Sequence, residues 1–165
     1  MRKAQANSGC SGFTLVELIV VIVILAIAAA IAVPSLSGTA SFQATSAARM
    51  IAADLEYAQN AAITYQQQVT VAFDTGAEAY SLSNQSGPLV HPMSKSAYTV
   101  DFTAGAGLDQ VDVVSASFSG SASVTFDELG APSNAGSVTV RARSHVLRVD
   151  VAAATGNVTV TDIGS

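Results

Sequence analysis

The uncharged segment from Leu18 to Val33 constrains the fold of this chain more than any other feature of its sequence. It reads LIVVIVILAIAAAIAV, and with Phe13–Val16 in front of it the apolar stretch approaches the ~20 residues that cross a bilayer as a helix. A single charge, Glu17, interrupts the stretch. A carboxylate beside lipid is costly and usually has a functional reason, although a place near a helix N-terminus offsets part of that cost. Hydropathy alone therefore predicts a membrane helix, and a plain anchor does not explain Glu17.

The residues in front of this segment do not follow the order of an ordinary secretory signal, which is cleaved after its apolar region. Here the small and polar residues Ser8–Gly12 precede the apolar region, and the basic residues Arg2 and Lys3 lie still closer to the N-terminus. Cleavage at that point would leave the apolar segment on the mature protein as an anchor. The only cysteine, Cys10, would leave with the leader. The mature chain is therefore expected to form no disulfide and no cysteine metal site within one molecule.

The sequence Gly12-Phe13-Thr14-Leu15-Val16-Glu17, followed by the apolar run, resembles the type IV prepilin leader, or class III signal. The resemblance implies that prepilin peptidase cleaves after Gly12 on the cytoplasmic side and N-methylates the new N-terminal Phe13. It also implies that Glu17 guides filament assembly and that Pro34 lies at the usual helix kink.

The same resemblance implies that the chain is divided into three parts. Residues 1–12 would be the leader peptide, and residues 13–36 a hydrophobic helix that serves as transmembrane segment and filament core. Residues 37–165 would be a periplasmic pilin-like globular domain.

Beyond Pro34 the apolar pattern predicts one more helix and then a series of strands. Apolar residues recur at spacings of three and four from about Ser41 to about Tyr65, which favours an amphipathic helix. Its apolar face consists of Ala47, Ile51, Leu55, Ala58 and Ala62. From Gln68 onward the period is two, as in strands. The predicted strands are 69–73, 80–82, 98–103, 111–118, 122–126, 137–142, 146–151 and 158–161, with a loop over 83–96 and a turn at Ser144-His145.

Short strands with close turns favour antiparallel pairing. The predicted class is therefore α+β. With the leader resemblance it becomes a pilin fold, in which a long kinked N-terminal helix packs on one or two antiparallel sheets.

The C-terminal half resembles the H-type (GspH/FimT-type) minor pseudopilins of type II secretion. The segments that carry this resemblance are Val124–Pro132, Val138–Val140, Leu147–Val151 and Thr155–Val158. The pair Glu128-Leu129 departs from the pattern, because relatives often have a more basic or polar pair there. Asp127, Gly130 and Gly156 are interpreted as residues that turn geometry requires.

This second resemblance implies a structural subunit of the pseudopilus, the short periplasmic filament that supports protein export across the outer membrane. The alternative is a minor pilin of a type IV pilus, acting in pilus assembly, adhesion or DNA uptake. The implied partners are prepilin peptidase, other pseudopilins or pilins, and the inner-membrane assembly platform. The implied location is the inner membrane, with a single pass, a cytoplasmic N-terminus and a periplasmic C-terminal domain, and then the periplasmic pseudopilus.

No group of residues indicates an enzyme, and the sequence predicts no cofactor and no metal. His91 and His145 lack a metal-ligand spacing such as HExxH and are expected to be exposed to solvent. The many serines include no GxSxG motif. A membrane-anchored enzyme is thus the third hypothesis, and no motif supports it.

The charge balance makes nucleic acid an unlikely partner. The net charge is −5, and loss of the two basic leader residues takes the side-chain charge to −7, whereas binding to nucleic acid depends on neutralising phosphates. Arg141 and Arg143 alternate and are predicted to point to one face of a strand, with Arg148 near them. A weak basic patch that binds DNA is one interpretation of these arginines. Charge balancing against Asp150 and Glu128 is the favoured one.

Overall fold

The computed structural model describes residues 14–32, 38–104 and 107–164. The chain forms two compact units, one ending at Gly38 and the other beginning at Thr39. The first unit contains helix α1, Leu15–Ala32. Its side chains are almost entirely aliphatic. A helix that is apolar on all sides is stable only where lipid or other apolar side chains cover it.

Helix α2 spans Gly38–Tyr65 and therefore begins before the predicted start at Ser41. The predicted apolar face is confirmed, since every one of its five residues is at most 1% exposed. Alanine occupies three of the five positions of this face. The same buried cluster contains the large core side chains of the strands, among them Phe118, Val124, Phe126 and Val140.

Nine strands follow α2 in the described part of the chain. They are β1 Val69–Asp74, β2 Ala79–Asn84, β3 Gly87–Pro88, β4 Thr99–Asp101, β5 Val111–Ser117, β6 Ser123–Phe126, β7 Gly136–Ala142, β8 His145–Val151 and β9 Val158–Gly164. One sheet has the order β3-β2-β1-β6, with β4 also paired to β2, and the second has the order β5-β7-β8-β9. Every pairing is antiparallel. The predicted α+β class with antiparallel pairing is confirmed, and of the one or two sheets expected the structure has two.

Three local predictions differ from the structure. The predicted loop over 83–96 contains β3, which pairs with the end of β2. Strand β9 runs on to Gly164. The turn predicted at Ser144-His145 lies one residue earlier, because Arg143 adopts a left-handed backbone with φ 56° and His145 is already paired with Ala142.

A polar network ties α2 to β2 and to the segment before β4. The two carboxylate oxygens of Asp54 accept hydrogen bonds from the hydroxyls of Tyr80, at 2.5 Å, and Tyr98, at 2.9 Å. Burial, with the Asp54 charge beside them, raises the pKa of both phenols well above the usual value. Both tyrosines therefore stay protonated donors, and the carboxylate of Asp54 is satisfied at the edge of the core.

Candidate assembly surface

Helix α1 begins with a capping residue that the leader motif itself supplies. The side-chain oxygen of Thr14 accepts a hydrogen bond from the backbone N–H of Glu17 at 3.2 Å, and the Thr14 carbonyl accepts the first helical bond from Leu18. This is the N-cap half of a capping box, in which threonine is followed three residues later by glutamate. Glu17 is thereby fixed in the first turn, where the helix dipole favours a negative charge.

The Glu17 carboxylate has no partner among the described residues. It is exposed, and no ion pair or side-chain hydrogen bond joins it to another described side chain. The described large apolar side chains of α1 are exposed as well, between 47% at Ile19 and 76% at Leu15. No helix within the described residues has both the length and the apolarity that crossing a bilayer requires.

Three predicted site residues, Gly12, Phe13 and Pro34, lie outside the described residues. Leader cleavage, N-methylation and the helix kink therefore stay predictions from the sequence.

The three arginines of the predicted basic patch each have an acceptor. Arg141 pairs with Asp112 at 3.0 Å, and Arg148 pairs with Asp150 at 2.9 Å. Arg143 donates to the side chain of Gln110 at 2.7 Å. The expectation that Arg143 shares a strand face with Arg141 is wrong, because Arg143 lies in the β7–β8 turn. Arg141 and Arg148 thus balance neighbouring acids, whereas Arg143 is bonded to a neutral amide. Of the two acids expected to balance the arginines, Asp150 does so, and Glu128 forms no ion pair among the described residues.

His91 and His145, which the sequence predicts to be exposed to solvent, are half-buried. The ring of His91 lies 4.5 Å from that of Tyr98, and its Nδ1 accepts backbone hydrogen bonds from Met93 and Ser94. His91 therefore closes a loop. Among the described residues, no three His, Cys, Asp or Glu side chains come together in a way that could hold a metal ion.

The turn at Asp127–Ala131 is built as the sequence predicts. One carboxylate oxygen of Asp127 accepts the N–H groups of Leu129, at 3.0 Å, and Ala131, at 2.8 Å. Gly130 has φ +84°, a left-handed conformation that glycine adopts without strain. The turn holds Leu129 at 86% exposure, so the unusual Glu128-Leu129 pair lies on the surface.

Sequence reasoning missed the residue that joins this turn to the β8–β9 loop. The side-chain amide nitrogen of Gln59, on α2, donates to the carbonyl of Gly130 at 2.7 Å and to the carbonyl of Thr155 at 2.8 Å. Gly156 is buried directly against this amide. We call Gln59, Gly130, Thr155 and Gly156 the Gln59 clamp. In the sequence, only Gly130 and Gly156 stand out, as residues that turn geometry requires. Their spacing does not indicate that a residue of α2 contacts them.

Comparisons with known proteins agree with this architecture. The family model described as "Type II transport protein GspH" matches residues 47–156, and the "Prokaryotic N-terminal methylation motif" matches residues 7–33. No curated protein sequence matches the chain significantly.

Solved structures with a similar fold include the minor pseudopilin EpsH from the type II secretion system of Vibrio cholerae. One EpsH structure has a TM-score of 0.56 at 12% identity and covers 76% of this chain and 97% of its own. A second has a TM-score of 0.53 at 12% identity and covers 74% and 97%. The type IV minor pilin FimU of Pseudomonas aeruginosa has a TM-score of 0.48 at 16% identity and covers 71% and 91%.

The GspH model covers more than half of the chain, including the buried face of α2, both sheets up to the end of β8, and the Gln59 clamp. The methylation motif covers residues 7–33, which include α1. The chain therefore belongs to the GspH family of type II transport proteins and begins with a prokaryotic N-terminal methylation motif.

Proposed function

We propose that this protein is a minor pseudopilin, a structural subunit of the type II secretion pseudopilus that supports protein export across the outer membrane. The observation that carries the proposal is α1, a helix of exposed aliphatic side chains whose single carboxylate is held in its first turn. Such a helix is stable only in lipid or among other apolar helices. A filament core of bundled helices supplies the second surrounding.

The proposed mechanism is assembly of this subunit into the pseudopilus, without a catalytic step of its own. Prepilin peptidase would release residues 1–12. The hydrophobic segment 13–36, of which α1 is the described helix, would hold the protein in the inner membrane with its β-rich domain in the periplasm. From there the subunit would join other pseudopilins at the inner-membrane assembly platform. Pro34 would be the helix kink that the leader resemblance implies.

The proposed function is tested by deleting the gene and measuring export. Loss of the subunit is expected to lower the amount of type II substrates in the medium, with the substrates retained in the periplasm. A plasmid copy of the wild-type gene should restore export. Normal export together with loss of surface pili would contradict the secretion assignment and support a type IV minor pilin.

The leader gives a separate prediction. N-terminal sequencing and intact-mass analysis of the protein purified from membranes are expected to find Phe13 as the first residue, carrying one methyl group. The reason is that small and polar residues precede Phe13 in the sequence and the apolar segment follows it. A Gly12→Leu variant serves as the control and should accumulate uncleaved. A mature protein that starts beyond Val33 would mean cleavage after the apolar segment, and the leader assignment would then be wrong.

A further inference from the structure

The open edges of the two sheets differ in how they are protected. An exposed edge presents unpaired N–H and C=O groups, and proteins usually shorten, bend or cover such strands. In the first sheet, β3 and β4 are very short, and β6 is covered by Ser133, whose N–H donates to the Thr125 carbonyl at 2.7 Å. In the second sheet, β5 is bent by a register shift after Val113, and the Val113 N–H is taken by the carboxylate of Glu78.

Strand β9 is protected only at its end, where a register shift between Asp162 and Gly164 leaves Ile163 without a partner on β8. Its first five residues, Val158–Asp162, pair regularly with β8 on one side and contain no proline and no lysine. The Ala152 N–H donates to the Asn157 carbonyl and closes the β8–β9 hairpin. Because bonded and non-bonded pairs alternate in an antiparallel ladder, the backbone groups of Thr159 and Thr161 then face β8. Those of Val158, Val160 and Asp162 face away from the sheet.

No described residue bonds to these outward backbone groups. The side chains on the same strand are also incompletely covered, since Val160 is 39% and Ile163 is 48% exposed. Val160 lies opposite Val149, which is fully buried. The apolar face of the sheet therefore continues onto β9 and stops at its open edge.

The edge is nevertheless held in place. The Gln59 clamp fixes the β8–β9 loop on α2 through the carbonyl of Thr155 and the buried Gly156. A strand that is already ordered loses little conformational freedom when it binds a partner. This arrangement fits addition of a strand, in which backbone hydrogen bonds supply the affinity and alternate side chains supply the specificity.

Charge determines which occupant fits. Asp162 is the only charged residue of β9, and the chain as a whole carries a net charge of −5. A second copy of the chain would bring the same excess of negative charge to the edge, whereas a basic segment would meet Asp162 favourably. We propose that β9 binds an extended segment of a different protein chain, which alternates small apolar with polar residues and carries a lysine or arginine opposite Asp162.

The proposal is tested on the mature protein in detergent micelles by amide hydrogen exchange, measured by NMR. The probe is a synthetic peptide about as long as β9, alternating valine and threonine, with one lysine. At a peptide concentration about ten times its Kd, occupancy should slow exchange of the outward amides of Val158 and Val160 about tenfold. The amides of Thr159 and Thr161 are already bonded to β8 and should change little.

Two controls make the result specific to this edge. The same peptide with N-methylated valines cannot complete the ladder and should give no protection. Val160→Lys should abolish binding, while Val114→Lys, which alters a somewhat more exposed valine on the protected β5 edge, should not. Absence of protection in the wild type would overturn the proposal. So would equal loss in both lysine variants, or protection that appears without peptide as the protein concentration rises. None of these outcomes bears on the export phenotype, so the proposed function is judged separately.

Discussion

Glu17→Val is expected to leave leader cleavage and membrane insertion largely intact and to reduce incorporation into the filament at least about thirtyfold, the effect of losing ~2 kcal/mol or more from a desolvated charge contact. Valine is more compatible with lipid than glutamate, so the anchor itself should not suffer. The Glu17 carboxylate has no described partner of its own. After cleavage the nearest new positive charge is the amine of Phe13, on the same chain or on a neighbouring subunit.

An incoming subunit whose Glu17 meets such an amine gains a charge-assisted hydrogen bond in a surrounding of low dielectric constant. Because the Thr14 cap fixes Glu17 in the first turn, this contact would set the register of one helix against the next. The measurement is cross-linking of wild type and variant to the other pseudopilins in membranes, with leader processing followed on the same gel.

The control moves the carboxylate by one helical turn. In the double variant Glu17→Val, Val21→Glu the charge and the overall hydropathy are kept, but the charge no longer lies beside the N-terminus. Cross-linking should stay as low as in the single variant. If either variant is processed and cross-linked as well as wild type, Glu17 has no role in assembly.

The amino-acid sequence predicts the parts of this fold that depend on local periodicity. Apolar residues recur every three or four positions in α2 and at every second position in the core strands. The burial of these residues follows from that pattern alone. The family is equally visible, since the leader and C-terminal motifs are contiguous segments. Turn positions are harder, because the left-handed backbone of Arg143 has no glycine or asparagine to mark it.

Contacts between distant residues could not be predicted from the pattern. Gln59 looks like one more polar residue on the exposed side of a helix, yet its amide joins carbonyls 71 and 96 positions away in the chain. Asp54 likewise reads as a surface acid until Tyr80 and Tyr98 are brought to it. A polar side chain of α2 can form such long-range hydrogen bonds only after the strands have packed against the helix. A single sequence does not indicate which carbonyl or hydroxyl will then lie beside it.

Gly156→Ala is expected to destabilise the domain by about 2–4 kcal/mol, because it combines backbone strain with loss of the Gln59 clamp. Gly156 has φ +66°, and a β-carbon there would collide with the side-chain nitrogen of Gln59 and lie 3.1 Å from the Gly130 carbonyl. The measurement is urea unfolding of the mature protein followed by circular dichroism.

Gly107→Ala is the matched control for the backbone term. Gly107 has nearly the same conformation, φ +70°, but open space where a β-carbon would be. Its replacement should therefore cost only the left-handed strain, about 1–2 kcal/mol. The difference between the two glycine variants isolates the contact with Gln59.

A double-mutant cycle then decides whether the clamp is one unit. Gln59→Ala alone removes both hydrogen bonds, at a cost of about 1–3 kcal/mol. In that background the alanine at position 156 no longer displaces the amide, so Gly156→Ala should cost little more than Gly107→Ala. The combined loss should thus fall short of the sum of the single losses by about 1–2 kcal/mol, a coupling typical of groups in direct contact. Strictly additive losses would show that turn geometry alone accounts for the cost of replacing Gly156, and that Gln59 does not couple the two loops.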